Sequence, residues 1–283
     1  MKYRLMLAGA VCLAFGSWIV AQPQDAPGAV KGGPEAGKGA GKGAGKGGPG
    51  GPGAGKGRGG FQPPEGPAPK TPWGVLDLNG VWARPYVPDI ERANGGPLPY
   101  TEWGKKAFDT YNAEEGDYTG SCLPFGHSRG MGSPDPIQIM LTPTSMAILY
   151  EQNSWFKVLP IDGRPHNPKK VATWFGDSIG HWEGDTMVVD TTNFNGLTRL
   201  DTNGHPHSNQ LHMIEKFTRT DLGHIAYQVT YDDPKTYTAP IVQNRTFTLR
   251  PDWEIQEYSC EENNKGLIEG RIKVPDYEKA GKQ

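Results

Sequence analysis

After Pro136 the chain alternates apolar and polar residues in short runs, the period of a strand with one buried face. The runs Ile137–Thr142, Ser145–Glu151 and Trp155–Leu159 are separated by Pro143-Thr144 and Gln152-Asn153-Ser154. Ile179–Trp182 and Thr186–Thr192 flank Glu183-Gly184-Asp185, a tight hairpin signal. Leu211–Arg219 and His224–Tyr231 meet across Asp221-Leu222-Gly223, and Arg245–Arg250 and Trp253–Cys260 across Pro251-Asp252. Nine such strands, mostly in hairpins, predict a mainly β fold built as an antiparallel meander. One helix precedes them at residues 101–113, where Thr101 caps and Trp103, Ala107, Phe108 and Tyr111 share a face. Strand count and near-neighbour connectivity favour an up-and-down, lipocalin- or calycin-like barrel over a β-sandwich.

The alternation also sorts side chains by face. In Thr186–Thr192, Met187, Val189 and Thr191 lie on one side and Val188, Asp190 and Thr192 on the other. In the next strand Glu215, Phe217 and Arg219 oppose Lys216 and Thr218. Charged groups therefore share faces with bulky apolar ones, as in a barrel with a partly polar cavity.

Composition divides the chain into three parts. Lys2 and Arg4 precede an apolar run from Leu5 to Ala21, which reads as a signal peptide and implies export to the periplasm or beyond. Residues 22–72 hold 18 Gly and 10 Pro, with Ala-Gly-Lys-Gly repeated at 36–39, 40–43, 44–47 and 54–57. Having little apolar surface to bury, this tract is expected to be a disordered tether, with weak electrostatic contact to anionic surface polymers. Residues 73–283 form the remaining single domain, in which 20 Lys and Arg against 28 Asp and Glu give a formal charge of −8. That sign argues against nucleic acid as a partner. Cys122 and Cys260, the two cysteines beyond the signal segment, predict one disulfide in an oxidising compartment.

The run Trp174-Phe-Gly-Asp-Ser178-Ile-Gly180-His-Trp182-Glu-Gly-Asp-Thr186-Met-Val-Val-Asp190-Thr-Thr-Asn193-Phe194 resembles the signature of a family of exported bacterial β-rich proteins. Asp162-Gly163-Arg164-Pro165-His166, the stretch from His207-Ser208 through Leu211-His212 to Glu215, and Glu257-Tyr258-Ser259-Cys260-Glu261-Glu262-Asn263 fit the same resemblance. It implies one secreted β-rich domain and transfers no catalytic residues.

Several constellations carry candidate chemistry. Gly176-Asp177-Ser178-Ile179-Gly180 has the spacing of a nucleophile elbow, although a hairpin follows where an elbow needs a helix. His212 and Glu215 form a base and its orienting acid if their segment is a helical turn; in an extended strand they point to opposite faces. His205, His207, His212 and His224 are spaced so that imidazoles could meet, but no metal and no cofactor is expected. Trp174, Trp182, Asp190, Asn193, Arg219, Arg164 and His166 are the expected ligand-binding residues, with Arg219 the partner of Asp190. The leading expectation is an exported barrel holding a small, partly apolar ligand. The alternatives are a secreted hydrolase or proton-transfer enzyme using His212 with Glu215 or Ser178, and a cell-surface interaction module.

Overall fold

The computed structural model describes residues 60–262 and 264–269; the signal segment and residues 22–59 of the tether lie outside them. Nine strands make one antiparallel sheet: β1 (Gly80–Ala83), β2 (Ile137–Leu141), β3 (Ser145–Tyr150), β4 (Phe156–Pro160), β5 (Asp177–Glu183), β6 (Thr186–Thr192), β7 (His212–Arg219), β8 (His224–Asp232) and β9 (Ile241–Leu249). Their order is β4-β3-β2-β1-β9-β8-β7-β6-β5, so consecutive strands pair except where β1 joins β9. The sheet curls into a nearly closed barrel whose seam lies between the edge strands β4 and β5. Side chains close the seam. A Cβ on Gly180 would lie 2.9 Å from Ile161 and 3.1 Å from Leu159, so glycine there lets apolar groups in and just after β4 press against β5.

Five short α-helices accompany the sheet among the described residues: α1 (Ile90–Ala93), α2 (Glu102–Asp109), α3 (Ala113–Gly116), α4 (His127–Gly132) and α5 (Lys265–Ile268). The expected helix at 101–113 is α2, capped by Thr101 as anticipated and ending at Asp109. Helix α4 is poor in helix formers, with two glycines in six residues. Tertiary contacts hold it: Arg84 Nη1 donates to Gly130 O at 2.6 Å and Arg245 Nη1 to Met131 O at 3.0 Å, satisfying carbonyls the helix end leaves open. Met131 and His127 are buried in the barrel core.

Two strand boundaries differ from the pattern. Trp253–Cys260 alternates like a strand but pairs with none; it is an extended segment tied by Gln256 N to Glu151 and by Ser154 to the Tyr258 carbonyl. The ninth strand is instead β1, four residues that the alternation is too short to announce. The Cys122–Cys260 disulfide links this segment to the loop before α4. The folded part also begins before residue 73, because Phe61 lies under Arg250, Leu222 N donates to Gly66 O and Pro64 closes on Gly223.

Candidate functional site

Inward positions of β6 to β9 carry the core, with Met187, Val189, Phe217, Ile225, Val229 and Phe247 all buried. Polar groups share that interior. Glu215 on β7 is fully buried; its Oε2 meets His127 Nε2 at 2.6 Å and its Oε1 accepts from Tyr227 Oη at 2.8 Å. His127 Nδ1 lies 2.7 Å from Tyr150 Oη. One assignment satisfies every member: Nε2–H donates to the carboxylate and Nδ1 accepts from the tyrosine. Burial lowers the His127 pKa more than Glu215 raises it. Burial would raise the Glu215 pKa, but His127, Lys157 and the Tyr227 hydrogen bond outweigh it and hold it at about 2. Next to this network Lys157 Nζ reaches Thr191 Oγ1 at 3.4 Å, which in turn meets Ser178 Oγ at 2.7 Å. Burial lowers the Lys157 pKa to about 8.

The outer face of β5, β6 and β7 carries a different cluster. Register places Asp177 opposite Thr192 and Ile179 opposite Asp190, with Ile214 beyond Asp190. Asp190 thus has Asp177 and His212 as diagonal neighbours. His212 Nε2 meets Asp190 Oδ1 at 2.9 Å, and His166, from the loop between β4 and β5, meets the same oxygen through Nε2 at 3.0 Å. His166 Nδ1 faces Asp177 Oδ2 at 3.3 Å, and the Lys170 ammonium pairs with the other Asp177 oxygen. Burial opposes ionisation of Asp177, yet the bonds from Lys170 and His166 prevail and keep its pKa below the ordinary carboxylate value. Asn193, at φ 60°, donates to Lys170 O and fixes the loop that carries Lys170 and His166. The histidines and Asp190 are all half-buried, so two imidazoles and a shared carboxylate face solvent.

The structure therefore brings His166, Asp190, His212 and Asn193 together and leaves the other expected residues elsewhere. His212 and Glu215 do not form a dyad, because β7 is extended throughout and sends them to opposite faces. Ser178 sits within β5, bonded to Thr191 inside the barrel, and no helix follows it as an elbow requires. Arg219 does not meet Asp190; it points inward, over the Trp82 ring, and donates to the carbonyls of Asp77, Asp221 and Leu222. Trp182 packs on the core, Trp174 lies edge-on to Tyr118, and Arg164 pairs with Asp162 in solvent. The four spaced histidines are likewise dispersed: His205 to Asp201, His207 to Thr198, His212 to Asp190 and His224 to Asp221. The alternation could have found Lys157, Gln243 and Arg245, which occupy inward positions of β4 and β9. Nothing local marks His127, whose partners lie 23 and 88 residues away.

A third feature is a groove of about 690 Å³ between the Pro85–Ala93 stretch and β6 to β9. It opens because β1 pairs with β9 only at Leu249 and Thr248, leaving the earlier part of β9 without a strand neighbour on that side. Val87 and Ala93 form its apolar wall. Lys216, Arg245 and the hydrogen-bonded amides of Gln228 and Asn244 line the rest. None of its lining residues is acidic. Compared with models of known protein families and with curated proteins, the chain matches none.

Proposed function

We propose that the protein is an exported β-barrel that binds a small, partly apolar anion in the groove beside β9. The observation that carries this is the charge of the groove: it is lined by Lys216, by the edge of Arg245, whose guanidinium is buried and bonded to Met131 O and Gln243, and by no carboxylate, in a domain whose formal charge is −8 from 20 cations and 28 anions. A site without acids on an acidic surface attracts negative charge selectively, and its volume suits a small molecule. The barrel interior is occupied by core side chains and the Glu215 network, which argues for a ligand held against the wall. The Cys122–Cys260 disulfide supports export, since such bonds persist in oxidising compartments.

Thermal shift and calorimetry with hexanoate and benzoate, against the neutral hexanol and benzamide, test the proposal. The carboxylates are expected to raise the melting temperature and the neutral analogues to have little effect, with Lys216→Glu abolishing the difference. Equal shifts from charged and neutral probes, or unaltered binding in Lys216→Glu, refute it.

We also infer that His212 can accept a proton from a bound molecule, because Asp190 engages its Nε2 and its Nδ1 has no hydrogen-bond partner among the described residues. Hydrolysis of p-nitrophenyl acetate by wild type, His212→Ala and Asp190→Asn tests this; equal rates in all three dismiss it.

A further inference from the structure

We propose that Asp89 and His205 hold a divalent cation of the zinc or cobalt class, with Asp201 orienting the histidine. The loop after Arg199 turns at Asp201–Gly204 and presses on the segment leading into α1. Asp201 is the tie: its Oδ1 accepts from the backbone of Gly204 at 3.0 Å and His205 at 3.1 Å, and its Oδ2 from Ile90 N at 2.6 Å. The same Oδ2 lies 2.5 Å from His205 Nδ1. A carboxylate only accepts, so Nδ1 carries the hydrogen, and in the neutral ring Nε2 then keeps its lone pair.

That lone pair is the unexplained group. His205 is fully buried, and its Nε2 has no hydrogen-bond partner among the described residues. It faces Asp89 Oδ1 at 4.0 Å, so two acceptors confront each other across a gap too wide for a hydrogen bond. A buried acceptor left unpaired costs about 1–3 kcal/mol, and a cation between the two removes that cost. The ring cannot turn away, because Phe108 stacks on it with centroids 4.6 Å apart and planes 9° apart. One oxygen or nitrogen from each of Asp89, Asp201 and His205 lies within 4.8 Å of the others.

The chemistry fits a borderline metal. Ligand bonds near 2.0–2.2 Å in a tetrahedral site set neighbouring ligand atoms about 3.4 Å apart, so Asp89 needs to move inward by about 0.6 Å. Its side chain is about one-third exposed and sits at the rim, which gives access, and its Oδ1, which caps α1 by accepting from Arg92 N at 3.0 Å, has a second lone pair for the ion. A carboxylate holding the far nitrogen of a metal-binding imidazole is the usual outer support of such sites. An imidazole donor selects zinc, cobalt or nickel over magnesium and calcium. Water completes the coordination.

The test uses the mature chain stripped with a chelator, with Zn²⁺ followed by calorimetry and Co²⁺ by its visible absorption. Wild type is expected to bind one equivalent. Asp89→Asn, which keeps the N-cap of α1, is expected to weaken binding roughly tenfold or more without lowering the melting temperature of the metal-free protein. His205→Gln is expected to abolish binding, and if it fails to fold Asp89→Asn decides alone. Absence of uptake by wild type overturns the proposal. So does undiminished binding in Asp89→Asn, or binding that is lost in His212→Ala instead, which would place the metal on the outer face of β6 and β7.

Discussion

Removing the Glu215 carboxylate should be among the most damaging single changes in the barrel. Glu215→Ala leaves Tyr227 Oη and His127 Nε2–H without their acceptor in the core and strips Lys157 of the nearest buried counter-charge. Two orphaned buried donors at about 1–3 kcal/mol each, with the loss of one partner of a buried ionic contact, give roughly 3–5 kcal/mol. For a domain of this size that lowers the melting temperature by roughly 6–20 °C. Glu215→Gln keeps an acceptor for Tyr227 and lets the imidazole adopt its other tautomer, so it should cost about 1–3 kcal/mol. The assay is thermal and urea unfolding at pH 7 followed by circular dichroism, with His127→Ala and the double variant completing a cycle. The double variant should lose less than the sum of the singles, because each already orphans the other. A Glu215→Ala protein melting within about 2 °C of wild type would refute the network as a source of stability.

Acid should destabilise the protein in two stages. His127 and Glu215 are both held below their unfolded values, so the unfolded chain takes up each proton first; stability present at neutral pH falls from about 6.5 downward and again from 4.5 toward 2, and Glu215→Gln should flatten the lower stage of an unfolding titration. Cutting the disulfide with Cys260→Ser should cost about 5 kcal/mol in the chain-entropy picture, since the cysteines lie 138 residues apart, and urea unfolding of reduced and oxidised protein measures it. Trp182→Ala, which empties a site against the core, should cost about 3 kcal/mol, whereas His212→Ala, on the half-exposed outer face, should cost under about 1 kcal/mol in the same assay; the reverse order would contradict the faces assigned to them.

Much of the barrel is legible in the alternation because β7 and β8 each bury one side, and a period of two fixes which residues face inward. The pattern weakens where inward positions are polar. Gln243 and Arg245 hide the first half of β9, and their inward placement makes sense only once the carbonyls of Ile90 and Met131, 153 and 114 residues away, accept from them. The same remote contacts fold α4 from a glycine-rich stretch that has no helical pattern of its own. Trp253–Cys260 shows the converse: strand-like alternation is insufficient without a free edge in register, and the end of β9 from which this segment leaves, Thr248 and Leu249, already pairs with β1.

The candidate sites were half legible for a related reason. The imidazole of His212 announces proton chemistry from its type alone, but its partner depends on the neighbouring strand rather than on spacing along its own. Three residues along an extended strand reverses the face, so Glu215 belongs to the interior while Asp190, a diagonal neighbour on β6, meets His212 outside. The carboxylates consequently serve different purposes despite their common chemistry. Glu215, sealed among His127, Tyr227 and Lys157, cannot meet a substrate without opening the core, whereas Asp190 already stands in solvent with two imidazoles. Which face a strand turns to water thus decides whether a charged residue stabilises the fold or is available to a ligand, and that decision is made by pairing register.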